Sequence, residues 1–205
     1  IKSVDYVIGH NNEESFFGYY DKTPECNGKV LSHIATSSTT KDPSVKHPIK
    51  IAVCNLDCDK TYIIGETTSY AWQQGARVQW IDDDTVIYNL AGDKGYNAVA
   101  YSLSQSKVIR RFNKPVQDSF GSNYFLSLNY TRLMPVASDY GYRNFAYDKN
   151  SQLKEDEDGI WHVDYNSGES KLLHTIEDVI KCNRQEIFCQ CYHTINHIMI
   201  SPNGK

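Results

Sequence analysis

The chain has 205 residues and a formal net charge of −4, enough length to bury one large core and no basic excess of the kind that nucleic-acid surfaces carry, so nucleic acid is not an expected partner. Fifteen Tyr, seven Phe and three Trp beside two Met favour strands and aromatic-lined surfaces over helical bundles. No apolar run approaches the length of a membrane helix, and Ile1-Lys2-Ser3-Val4-Asp5 lacks the apolar core of a signal peptide, so no membrane span is expected.

The first predicted unit covers residues 16 to 67. Phe16 to Asp21 reads as a strand, Thr23-Pro24-Glu25-Cys26-Asn27-Gly28 as a turn and Lys29 to Thr36 as the next strand, because Asn-Gly between two strand-like runs marks a tight hairpin. A polar loop with Pro43 and Pro48 leads to Ile49 to Leu56, a turn at Asp57-Cys58-Asp59-Lys60, and Thr61 to Thr67. The same unit recurs over 76 to 112: Ala76 to Trp80, a turn at Asp82-Asp83-Asp84, Thr85 to Leu90, Tyr96 to Leu103, a turn at Ser104-Gln105-Ser106, and Lys107 to Phe112. A third covers 116 to 174, with Val116 to Ser119, Asn123 to Asn129, Gly159 to Tyr165 and Ser170 to His174, interrupted by an insertion from Tyr130 to Asp158. Thr175-Ile176-Glu177-Asp178 resembles a capping box and predicts a short helix from Ile176 to about Asn183.

Residues 193 to 205 begin a fourth unit: an inner strand from His197, then the turn residues Ser201-Pro202-Asn203-Gly204 with no second strand after them. The expectation is that the ordered chain continues past Lys205, or that a second copy covers the open blade edge by self-association. Four-stranded units repeating at roughly 40 to 50 residues predict an all-β fold, a β-propeller with WD40-like or TolB-like blades, here one segment over 1-205 forming an incomplete ring of three to four blades. Strands such as Ile49 to Leu56 and Asn97 to Leu103, apolar on both faces, suit stacked blades better than a sandwich with one solvated face.

The stretch Ala71-Trp72-Gln73-Gln74-Gly75-Ala76-Arg77-Val78-Gln79-Trp80 concentrates two indoles, three side-chain amides and an arginine, and reads as the wall of a site. Several runs, in this order, resemble bacterial seven-bladed propeller proteins of the oligogalacturonate-lyase and ulvan-lyase type, which also occur in surface-polysaccharide gene clusters. They are Phe17-Gly18-Tyr19-Tyr20-Asp21-Lys22-Thr23-Pro24, Gln73 to Trp80, Ser127-Leu128-Asn129-Tyr130-Thr131-Arg132-Leu133, Asp139-Tyr140-Gly141-Tyr142, Asp158-Gly159-Ile160-Trp161 and Asn196 to Gly204. The resemblance implies a carbohydrate-active propeller that binds an acidic oligosaccharide or polysaccharide at its channel mouth, in the cytoplasm or periplasm of a bacterium. It also implies eliminative lyase chemistry; the alternative is a non-catalytic propeller, a scaffold or binding module in capsular polysaccharide biosynthesis.

Inner strands of a propeller line its axial channel, which makes Tyr19, Trp72, Gln73, Gln74, Arg77 and Gln79 the expected substrate contacts. Elimination from a uronate needs a cation on the carboxylate, a base for the C5 proton and an acid for the leaving oxygen. Arg77 or Arg132 is the candidate cation, His197 or His193 the base, Tyr140 or Tyr142 the acid. Each has a structural alternative: Arg77 a buried ion pair between blades, Trp72 and Trp80 core, His197 a hydrogen-bonded structural histidine. His193 and His197 share a face only on a helix, and this segment reads as loop and strand, so no metal or other cofactor is assigned and a divalent ion stays unplaced.

The remaining histidines, at 10, 33, 47, 162 and 174, receive no role. Asp82-Asp83-Asp84 reads as a hairpin turn rather than a calcium loop, and Lys154-Glu155-Asp156-Glu157-Asp158 as an exposed acidic loop. The six Cys lack zinc-site spacing and read as mostly free, buried thiols rather than a disulfide framework.

Overall fold

A computed structural model describes residues 12 to 148, 150 and 152 to 205; His10 and the run Ile1 to Asp5, read as lacking a signal-peptide core, lie outside the described residues. Three antiparallel sheets follow one another along the chain. The first holds β1 (Glu14–Phe16), β2 (Glu25–Cys26), β3 (Lys29–Ala35), β4 (Ile49–Asn55) and β5 (Lys60–Thr67), in the order β1-β3-β4-β5 with β2 also on β3. The second is the meander β6 (Gln79–Trp80), β7 (Thr85–Ala91), β8 (Tyr96–Ser102), β9 (Lys107–Phe112). The third is β10 (Asp118–Phe120), β11 (Tyr124–Ser127), β12 (Gly159–Asp164), β13 (Ser170–Thr175), with helix α1 (Tyr130–Leu133) between β11 and β12. Helix α2 (Ile176–Cys182) and a 3₁₀ turn at Glu186–Gln190 follow. The fold class is all-β.

Burial grades across each sheet. In β4 and β8 both faces are largely buried, whereas β5, β9 and β13 carry exposed charged residues such as Lys60, Lys107 and Lys171. Leu31, Ile51 and Val53 of the first sheet pack on Val86, Tyr88 and Val99 of the second. Ile87, Ala98 and Phe112 of the second pack on Phe125 and Val163 of the third. Between the sheets Asn89 is a polar tie: its Oδ1 accepts from the Val116 N–H at 2.7 Å and its Nδ2 donates to the Tyr142 hydroxyl at 2.9 Å.

Several sequence expectations are corrected. The run from Phe17 to Asp21 is not a strand, because Gly18 sits at φ 127° against the Gln74 carbonyl and turns the chain aside. The Asn27-Gly28 hairpin does form, with both residues at positive φ, but it joins the added strand β2 to β3. Ala76 and Arg77 are not strand either, since Gly75 and Arg77 both take positive φ and pairing starts only at Gln79. The inner strand of a fourth unit is absent: residues 191 to 200 carry no strand, and His197 at φ 55° cannot hold an extended course. The segment instead crosses the third sheet, with the Ile200 N–H donating to Asp118 at 2.6 Å and the Tyr124 hydroxyl to the Gly204 carbonyl at 2.9 Å.

The insertion is more than an excursion from the fold. Asn129 caps α1, and Tyr130, Leu133 and Tyr142 are fully buried in a cluster with Tyr96. Asp158, read as part of a solvated acidic loop, is buried at the start of β12. All six thiols are free, but Cys54 alone is buried among them; Cys58, Cys182, Cys189 and Cys191 are exposed and Cys26 is intermediate. The capping box of α2 has both reciprocal hydrogen bonds, from the Asp178 N–H to Thr175 Oγ1 and from the Thr175 N–H to Asp178 Oδ2. Asp82 Oδ1 accepts the N–H groups of Asp84 and Thr85, which makes the triple-Asp run a hairpin turn.

Candidate functional site

Arg77 is the hub where the three sheets meet. Its Nη1 and Nη2 donate to the two oxygens of Asp21 at 3.2 and 2.8 Å, and its Nε donates to the Gln117 carbonyl at 2.8 Å. Asp21 comes from the loop after β1 and Gln117 from the residue before β10, so one guanidinium fork ties all three sheets. Both side chains are nearly fully buried. The expected substrate contact at Arg77 is corrected to a buried ion pair, because a fork already filled by a carboxylate and a carbonyl has no face left for a ligand.

Gln79 is corrected in the same way. Its Nε2 donates to the Arg77 and Gln117 carbonyls, and its Oε1 accepts from the Ser119 N–H and hydroxyl at 3.0 and 2.9 Å. Trp72 packs on Phe16 and Tyr70 and donates from Nε1 to the Lys41 carbonyl at 2.6 Å, a structural role. Gln73 is exposed. Gln74 is 2% exposed, and neither of its amide atoms has a hydrogen-bond partner among the described residues.

Over this hub lies an aromatic cradle. The Tyr19 ring lies 4.3 Å from Tyr20 and 4.8 Å from His197, and Tyr140 meets His197 edge-on at 4.6 Å. Tyr20 is 84% exposed, so one wall of the cradle faces solvent. His197 Nε2 is buried without a partner among the described residues. Burial, and then the nearby Arg77 charge, hold the imidazole below its ordinary value against a weaker opposite pull from Asp21, so it is neutral at neutral pH. The hydroxyl of Tyr20, with some loss of hydration, pushes Tyr19 up to about 12.

The other candidates stand apart. Tyr142 is fully buried and stacked on Tyr130 at 4.2 Å, and burial pushes its hydroxyl well above 10, which corrects its reading as an accessible acid. Arg132 is also buried; its Nε donates to the His193 carbonyl at 2.8 Å and its Nη1 to the Leu153 carbonyl at 2.7 Å, with Asp158 at 3.5 Å. His193 Nδ1 meets Glu155 at 2.8 Å. Arg132 and His193 thus pin residues 192 and 193 to the insertion and take no part in the His197 cradle. Among the described residues no group of three or more His, Cys, Asp or Glu side chains is arranged to hold a metal ion, and no helix is long and apolar enough to cross a membrane.

Sequence reading missed Asp21 and Gln117, the partners that fix the hub, Tyr130, whose hydroxyl donates to the Gln117 side chain, and Asn89, the tie between the second and third sheets. Asp21 carried a signal, an acidic residue in the same Gly-Tyr-Tyr-Asp-Lys run as Tyr19; Gln117 acts through its carbonyl and carried none. His33, left without a role, is fully buried beneath the hub: its Nε2 accepts the Ala76 N–H at 3.0 Å while Nδ1 faces the Phe16 carbonyl at 3.3 Å.

No family profile and no curated protein sequence matches this chain. Solved structures that share a partial likeness include an isopeptidase and an uncharacterized protein. The apo form of the isopeptidase AtxE2 aligns over 85% of this chain and 32% of its own, at 8% identity and TM-score 0.46. An uncharacterized protein from Listeria monocytogenes EGD-e aligns over 85% of this chain and 57% of its own, at 14% identity and TM-score 0.37. The chain spans about a third and just over half of the length of these two proteins, and likeness at this level carries no argument about activity.

Proposed function

We propose that the three sheets are blades of a propeller of the oligogalacturonate-lyase and ulvan-lyase type that the motifs resemble, and that the cradle of Tyr19, Tyr20, Tyr140 and His197 binds an acidic oligosaccharide. The observation that carries this reading is the His197 Nε2, a buried polar atom without a partner, ringed by aromatic faces of which Tyr20 opens to solvent. Apolar walls with a few convergent polar atoms are what saccharide pockets offer, because rings cover sugar C–H faces while lone pairs take hydroxyls. The resemblance supplies the acidic class of ligand.

Binding without turnover, as in a scaffold of surface-polysaccharide assembly, is favoured by the state of the cations. Arg77 is filled by Asp21, and Lys22 is paired with Asp118, so neither ammonium nor guanidinium is free to neutralise a uronate carboxylate. Elimination is favoured by the neutral imidazole, which suits His197 to take the C5 proton while the Tyr140 hydroxyl returns one to the leaving oxygen.

Calorimetric titration with oligogalacturonates and with neutral oligosaccharides of equal length tests the site. The charged oligomers are expected to bind, and Tyr20→Ala, a change at an exposed ring, to weaken binding without loss of fold. No binding of any oligomer refutes the reading. Ultraviolet absorbance of the unsaturated product separates the two modes: a rise that His197→Ala abolishes establishes elimination, and a flat trace with intact binding establishes the scaffold.

A further inference from the structure

An opening lined by none of the cradle residues lies between the second and third sheets against the insertion. Its volume is about 500 Å³. That is within the usual range for small-molecule pockets, which spans roughly 300 to 1,000 Å³. Lys94 lies in the β7–β8 turn, Asn113 and Lys114 follow β9, Thr131 is on α1 and Trp161 on β12. Two adjacent sheets and the insertion therefore each contribute a wall, which is how a cleft at a sheet junction gathers side chains from distant parts of a chain.

The electrostatics of this cleft are unbalanced. The Lys114 ammonium sits 3.6 Å from the centroid of the Trp161 ring, half-buried. Burial draws its pKa down, opposed by the charge of Asp158. Among the described residues no ion pair engages Lys114 or Lys94. Asp158, the carboxylate in the lining, is turned to other donors: Asn129 Nδ2 at 2.8 Å, the Gly159 N–H at 2.9 Å and Arg132 at 3.5 Å. A cation removed from water onto an aromatic face, with no counter-charge in contact, gains most from an anion brought to it. The amide of Asn113 and the hydroxyl of Thr131 add uncharged hydrogen-bonding groups beside it.

We infer that this cleft binds a sugar-sized anion, a saccharide unit bearing a carboxylate or a phosphate, with the anionic group at Lys114 and Lys94 and hydroxyls at Asn113 and Thr131. The inference is independent of the cradle, none of whose residues lines this cleft. Titration calorimetry of the full chain with glucuronate, glucose 6-phosphate, glucose and inorganic phosphate tests it. At least one sugar anion binds, and glucose and inorganic phosphate each bind at least about tenfold more weakly.

Lys94→Gln and Lys114→Gln each weaken the sugar anion by about tenfold, and Lys114→Arg restores most of the loss. Lys94 is on an exposed turn, so its variant reports on binding free of any folding defect. Whether glucuronate or glucose 6-phosphate binds identifies the charged group. Equal binding of glucose or of inorganic phosphate, unchanged affinity in both lysine variants, or no binding of either sugar anion overturns the inference.

Discussion

Arg77 holds a left-handed backbone at φ 54°, a conformation that costs a non-glycine residue stability unless its surroundings impose it. Here the imposition is visible: the guanidinium is bound at both ends, by Asp21 and by the Gln117 carbonyl. Arg77→Ala is therefore expected to lower stability by about 3 to 5 kcal/mol in chemical denaturation, because it strands a buried carboxylate. A loss under about 1 kcal/mol would mean that Asp21 reaches water and the hub is soft. The sequence left Arg77 open between a channel contact and a buried pair, since nothing in local spacing reveals a partner 56 residues away. His33 adds a pH dependence: burial lowers its pKa from 6.5 to about 4. The unfolded chain therefore takes up the proton first, so this contribution is complete above pH 6.5, is lost as pH falls from there to about 4, and is then flat. The loss is on the order of 3 kcal/mol, checked by denaturation midpoints across that range, and His33→Gln should flatten the slope.

Elements were legible where hydrophobic pattern and turn chemistry agree, as in β3, β4, β7, β8 and the capped helix α2, and illegible where a backbone conformation overrides the pattern. The run from Ala76 to Trp80 reads as strand by composition, yet Gly75 at φ 57° and Arg77 bend it under the hub, leaving two paired residues in β6. Residues 197 to 201 likewise have strand composition, and the left-handed His197 diverts them across the third sheet. Glycine substitutions separate these effects. A Cβ at Gly75 would run into the His33 ring, whereas one at Gly168, also at positive φ (78°), meets nothing within 4 Å. Gly168→Ala should cost about 1 kcal/mol, the conformational penalty alone, and Gly75→Ala several times more. Equal costs in thermal melts would show that the His33 ring moves aside freely and does not fix the entry to β6.

At the scale of the whole molecule the second sheet is shared property. One face of it packs with the first sheet through Val86, Tyr88 and Val99, and the other with the third through Ile87, Ala98 and Phe112, so loosening either junction strips cover from the same strands. Polar ties run in parallel: Thr67 donates to the Asn89 carbonyl across the first junction, and the Asn89 side chain reaches Val116 across the second. Such an arrangement should unfold as one unit. Phe125 tests it, being fully buried and meeting the Phe112 ring edge-on at 5.1 Å. Phe125→Ala is expected to lose about 3 to 5 kcal/mol through lost burial and the cavity it leaves. The decisive measurement is where that loss is felt. Native-state hydrogen exchange should show protection falling by the same amount in β4 of the first sheet as in β8 and β11, with one thermal transition. Protection that falls in β11 and β12 while β4 keeps its full value would show that the sheets open independently, and that the contacts of the second sheet do not carry cooperativity along the chain.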